Sequence, residues 1–128
     1  MRERRDRGFT LIELMVVLVI MGSLVALVGP NLFRILGDSR RDTAVIQLHQ
    51  LGTAVDAYRM RQRRLPENLE ALTQVSAESP EPYLRSLPKD PWDGAYAYRV
   101  DGKRFAVMSA GEDGQLGTED DLVWPDPA

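Results

Sequence analysis

The stretch GFTLIELMVVLVIMGSLVALV, Gly8 to Val28, decides the fold. A charged leader, Met1 to Gly8, gives way at a glycine to an almost wholly apolar segment with one carboxylate, Glu13. Phe9 to Val28 is 20 residues, about 30 Å as an α-helix, which matches the hydrocarbon thickness of a bilayer. The uninterrupted part, Leu14 to Val28, is 15 residues, roughly 22 Å, and falls short. A spanning helix therefore carries Glu13 inside it.

A carboxylate in a spanning helix costs about 2.5–3.5 kcal/mol on insertion scales, so it is read as functional until shown otherwise. A cut after Gly8 would give Phe9 a new α-amino group at the depth of Glu13. That amine lies four positions away in the same chain, and a neighbouring copy offers another. Pairing between copies turns an insertion penalty into a reason to assemble. The plainer alternative is a signal anchor with one tolerated acid.

Gly8-Phe9-Thr10-Leu11-Ile12-Glu13-Leu14 resembles the processing site of type IV pilins and type II secretion pseudopilins. The resemblance implies a prepilin peptidase that cuts between Gly8 and Phe9 and N-methylates Phe9, with Phe9 and Glu13 acting in assembly. Pro30, 22 residues into the cleaved chain, falls where that class has its helix-kinking proline.

The chain is 128 residues long, and its first thirty or so are not available to a globular core. The remainder is small enough to need a staple, and with no cysteine that staple is not a disulfide. The net charge is −3, of which the leader contributes +2 through four Arg against Glu3 and Asp6, leaving the rest at −5. Binding of nucleic acid through an overall basic surface is not indicated. Leader arginines beside an apolar span place Met1 to Gly8 in the cytoplasm and the rest beyond the inner membrane. The h-region is too long for a cleaved secretory signal and lacks a small-x-small site.

From Asp42 onward Val45, Leu48, Leu51, Val55 and Tyr58 recur at steps of three and four, one face of a helix. Pro66 stops the helix at or before Leu65. One bent helix from about Phe9 to Arg64 is expected, with a kink near Gly29-Pro30; the alternative is a break and cap at Gly37-Asp38-Ser39. Arg59, Arg61, Arg63 and Arg64 fall in its last turns, where cations complement the dipole. His49 has no second histidine or cysteine nearby and reads as a partly exposed helix residue. Leu69, Leu72 and Val75 suggest a short helix capped by Asn68. Tyr83 to Gly94, with two prolines and a tryptophan, reads as an ordered loop over the core. Ala95–Val100 and Arg104–Ser109, joined through Asp101-Gly102, form a hairpin, and Leu122–Trp124 supplies a third strand before Pro125. The fold class is α+β, a long N-terminal helix on a small antiparallel sheet. The expected organisation is a leader at 1–8, a membrane or filament-core helix half at 9–36 and a globular domain at 37–128 that includes the amphipathic half 37–64.

Asp113, Asp120 and Asp121 place three carboxylates close in sequence, with Gly111, Gly114 and Gly117 permitting a tight fold. Ca²⁺ takes six to eight oxygen ligands, and backbone carbonyls of Ala110 and Gln115 are further donors. The spacing is not that of an EF-hand. On these residues alone, an exposed acidic turn and a calcium loop both stand. Leu87-Pro88-Lys89-Asp90-Pro91-Trp92, Ala95-Tyr96-Ala97-Tyr98 and the acidic loop together resemble the major pseudopilin of type II secretion. That resemblance implies a pilin-like fold and structural calcium held by Asp113, Asp120 and Asp121. The ion would tie the last strand to the sheet.

The resemblance also implies a subunit of a homopolymeric helical filament, a pseudopilus that drives folded proteins across the outer membrane. Its implied partners are copies of itself, minor pseudopilins and an inner-membrane assembly platform. A surface type IV pilin for adhesion, motility or DNA uptake is the alternative, disfavoured by the absence of a C-terminal cysteine pair. A membrane-anchored calcium-binding module is the other. No nucleophile constellation accompanies the acids, so an enzyme is not expected.

Overall fold

The computed structural model describes residues 8–125. The leader before Gly8 lies outside the described residues. Helix α1 covers Leu11–Gln62, followed by a 3₁₀ turn at Leu69–Thr73 and strands β1 (Ala97–Asp101), β2 (Arg104–Ser109) and β3 (Leu122–Trp124). The helix passes through Pro30 and through Gly37-Asp38-Ser39 without a break. By internal contacts the chain forms two units, residues 1–37 and 38–128.

From Leu11 onward the first unit is helix, and its described apolar side chains are exposed. Its best 18-residue window has a mean hydropathy of 2.8, and none of that window is buried. Leu11, Leu18, Val25, Leu27 and Phe33 are all exposed. Apolar surface of this extent needs lipid or other chains to cover it. The helix begins at Leu11 rather than Phe9, because Thr10 acts as its N-cap.

The second unit holds the core. Ala44, Leu48, Leu51, Val55 and Ala54 of α1 are buried with Leu69, Leu72, Tyr96, Val107 and Leu122. The inward stripe starts at Ala44, whereas Val45 points out at 44% exposure. Fully burying a Leu or Val contributes about 1.5–3 kcal/mol, so Leu51, Val55, Leu72 and Val107 carry much of this small domain's stability.

The sheet is antiparallel in the order β1-β2-β3, with Tyr98 opposite Val107 and Val107 opposite Trp124. β1 starts at Ala97, two residues later than the sequence suggests, and extends to Asp101, which pairs with Arg104. Gly102 turns the hairpin at φ 59°. Helix α1 ends at Gln62, so Arg63 and Arg64 lie beyond it, and Arg63 adopts a left-handed backbone at φ 58°. Asn68 caps the 3₁₀ turn, its side chain accepting from the Ala71 amide at 3.0 Å. Val75 stays outside that turn and exposed.

At Gly52 the helix and the third strand meet closely. A Cβ built there would overlap the indole ring of Trp124. That ring also meets His49 edge-on, centroids 5.9 Å apart, and Phe105 at 5.5 Å. His49 is an exposed helix residue; its contact with Trp124 is not indicated by its sequence context.

Candidate functional site

Two places in the chain carry the residues singled out from the sequence. At the start of α1, the Thr10 hydroxyl accepts the Glu13 amide at 3.3 Å, while Glu13 Oε2 accepts the Thr10 amide at 3.0 Å. This reciprocal pair is a capping box, which satisfies two of the amides a helix start leaves free. The carboxylate therefore has an acceptor role within its own chain, besides the amine pairing expected of it. Thr-x-x-Glu is legible in the sequence as this motif, and its reading there as a membrane carboxylate obscured it. Phe9 lies just outside the helix and is 84% exposed.

The second place is the loop from Ala110 to Asp121. Gly111, Gly114 and Gly117 all have left-handed backbones, at φ 65°, 68° and 97°. Gly111 also sits against the Asp120 carbonyl, with no room for a Cβ. Asp113 Oδ1 accepts the Gln115 amide at 2.8 Å, and Asp121 Oδ2 accepts the Gly117 amide at 2.7 Å. The Gln115 carbonyl accepts the Thr118 hydroxyl at 3.2 Å. Asp113 borders a cavity shared with Asp90, Trp92 and Gly94, whereas Asp121 borders another shared with Arg41, Val45 and His49. Asp120 is exposed. Among the described residues no three His, Cys, Asp or Glu side chains converge as a metal-binding group.

One observation bears directly on a cation. Asp121 Oδ1 is buried without a hydrogen-bond partner, a situation that costs about 1–3 kcal/mol unless something meets it. The loop's own donors, carboxylates and backbone carbonyls, are oxygens of the kind a hard cation such as calcium takes, while His49 and Arg41 line the same cavity as Asp121.

The sequence reading missed the residue that anchors this loop. Asp90 is 4% exposed. Its Oδ1 accepts the amides of Trp92, at 3.1 Å, and Gly94, and its Oδ2 accepts the Ser109 hydroxyl at 2.9 Å. Ser109 Oγ in turn accepts the Gly111 amide at 3.3 Å. One buried carboxylate thus ties the Pro91-Trp92-Asp93-Gly94 turn to the end of β2 and the mouth of the acidic loop. The clue was present in Asp90-Pro-Trp-Asp-Gly94, an acid opening a turn, where an aspartate bonds amides two residues on. Burial and the Asp90 charge together raise the Tyr96 phenol from 10.0 to about 12, and that hydroxyl donates to Gln47 on α1.

Residues 31–123 match the family model for type II secretion system protein G, and residues 4–29 match the prokaryotic N-terminal methylation motif. Type II secretion system core protein G of Pectobacterium carotovorum subsp. carotovorum is 40% identical, covering 92% of this chain and 83% of that protein. Its counterpart in Escherichia coli K12 is 38% identical over 93% of this chain and 90% of that protein. The crystal structure of the major pseudopilin from the type 2 secretion system of enterohaemorrhagic Escherichia coli aligns with a TM-score of 0.58 at 31% identity. It covers 76% of this chain and 87% of that one.

Proposed function

The chain belongs to the type II secretion system protein G family, and from that premise we propose how its two sites serve a pseudopilus. It is a pseudopilus subunit of type II secretion, anchored in the cell envelope by an apolar helix. The family is one of structural subunits rather than enzymes. A surface type IV pilin is the weaker reading, since the family model covers the globular domain.

Prepilin peptidase removes residues 1–8 and methylates Phe9, and the globular domain faces the periplasm with the anchor in the inner membrane. The methylation motif at 4–29 supports this. The exposed apolar helix of the first unit, with Glu13 as its one acid beyond Thr10, then packs against other copies to form the filament core. Glu13 exchanges the Thr10 amide for the amine of a neighbour, which fixes the register. Calcium is held by Asp113, Asp120 and Asp121, with the carbonyls of Ala110 and Gln115, and stiffens the loop before β3. Minor pseudopilins and an inner-membrane platform complete the assembly.

The observation that carries this reading is an apolar helix, uncovered along its length, joined to a domain with its own core. Its test combines mass and assembly. The protein recovered from membranes should lack residues 1–8 and carry one added methyl group. Glu13→Gln should leave that processing intact and reduce filament yield. Wild-type protein that keeps its leader and stays monomeric in lipid would overturn the proposal.

A further inference from the structure

The second unit has opposite charges at its two ends. The acidic loop leaves β2 at Ser109, and the hairpin turn lies at the other end of that strand, about 17 Å away. Asp121 and Arg41 border one cavity, which sets the loop beside the beginning of this unit's helix. Tyr96 reaches Gln47, and Tyr98, two residues on, feels Tyr58. The sheet therefore runs with the helix, and the hairpin turn points toward Gln62. Arg41 and Arg59 are 18 residues apart, about 27 Å along the helix.

Arg59, Arg61, Arg63 and Arg64 crowd this far end and are exposed. Arg99, Lys103 and Arg104 of the hairpin are also exposed, with Asp101, opposite Arg104, offsetting one of them. Among the described residues the one ion pair is Arg59 with Asp56, at 2.9 Å. Arg61 donates to Ser79 at 3.3 Å, so Glu78 and Glu81 offset part of this charge. Glu112, Asp113, Glu119 and Asp120 of the acidic loop are exposed at the near end, where Arg40 and Arg41 offset part of theirs. Glu112 and Glu119 stand outside the proposed calcium ligands, so their charge survives the ion.

We infer that the arginine end is a docking surface for the acidic loop of a second copy of this chain. The contact is heterologous: the surface used by one copy differs from the surface it meets on the next. Such a contact repeats without closing and builds an open helix of subunits. Parallel copies displaced by about 27 Å along the helix axis bring the two ends together. Charge complementarity of this kind fixes register and rejects wrong partners more than it adds affinity. It also makes assembly sensitive to salt. The inference rests on the filament reading and adds which surfaces meet outside the filament core.

The test uses the full chain, which has no cysteine of its own. Arg64→Cys with Glu119→Cys should give an oxidised ladder of multimers in sheared filaments, while either alone gives dimers at most. Arg63→Glu with Arg64→Glu should lower filament yield about tenfold, with leader removal and membrane insertion unchanged, and Glu112→Arg with Glu119→Arg should restore it. Normal filaments without a ladder overturn the inference and leave the filament reading standing. A yield lost but not restored assigns the arginines to an acidic lipid or protein surface and also overturns it. Wild-type protein that makes no filaments removes both.

Discussion

Gly52 shows how one missing side chain shapes the domain. In the middle of a helix, replacing glycine by alanine ordinarily stabilises by up to about 1 kcal/mol. Here the added methyl would meet the Trp124 ring. Overpacking of a close-packed interior costs about 1–3 kcal/mol. The steric cost wins, and Gly52→Ala should lower the melting temperature of the fragment from Asp38 onward by roughly 5–15 °C. Thermal unfolding followed by circular dichroism measures it, and an unchanged or raised midpoint would show that Trp124 moves aside freely. Glu13 illustrates a different point. Its carboxylate already serves the helix start through Thr10, so the proposed exchange onto a neighbour's amine would leave one helix amide to be satisfied elsewhere.

At the scale of the element, the loop from Ala110 to Asp121 depends on both of its ends. Asp90 and Ser109 hold its entry, and the Asp121–Gly117 bond holds its exit. Between them the backbone relies on three left-handed glycines rather than on buried side chains. Such a segment opens easily unless a ligand favours the closed form. A cation that binds only the folded loop stabilises it by linkage, about 2.7 kcal/mol at a hundredfold excess over Kd. The fragment from Asp38 should therefore melt at a higher temperature in millimolar calcium than in chelator, and Asp121→Asn should erase the difference. Identical melting curves with calcium and with chelator would remove calcium as the staple.

At the scale of the whole globular domain, alkali offers a readout of the helix–sheet seam. Tyr96 titrates near 10.0 when unfolded and at about 12 when folded, chiefly because burial disfavours the phenolate and secondarily because Asp90 repels it. Below pH 10 both states keep the proton, so the group leaves stability independent of pH. Between pH 10 and 12 the unfolded chain releases a proton that the native one retains, and stability falls as pH rises. Tyr98 is shifted in the same direction by burial and by Tyr58. The denaturant midpoint should thus drop from pH 9.5 to pH 11.5, about the window these shifts define, and Tyr96→Phe should shrink that drop. A drop of equal size in the variant would show that Tyr96 does not govern it.

Local sequence by itself determined the apolar anchor, the end of the helix before Pro66, the Asn68 cap, the hairpin and the third strand. Each depends on residues a few positions apart: a run of apolar side chains, a proline, a side-chain acceptor, a glycine turn. The Thr10–Glu13 box was equally local and was overlooked because Glu13 also suited a longer-range role. Tertiary structure alone decided that Ala44 rather than Val45 faces inward and that Gly52 makes room for Trp124. It also decided that Asp90 is buried as the anchor of two loops. Gly52 meets Trp124 across most of the globular domain's sequence, and Asp90 reaches Ser109 at the end of β2, so no short window of sequence contains both partners.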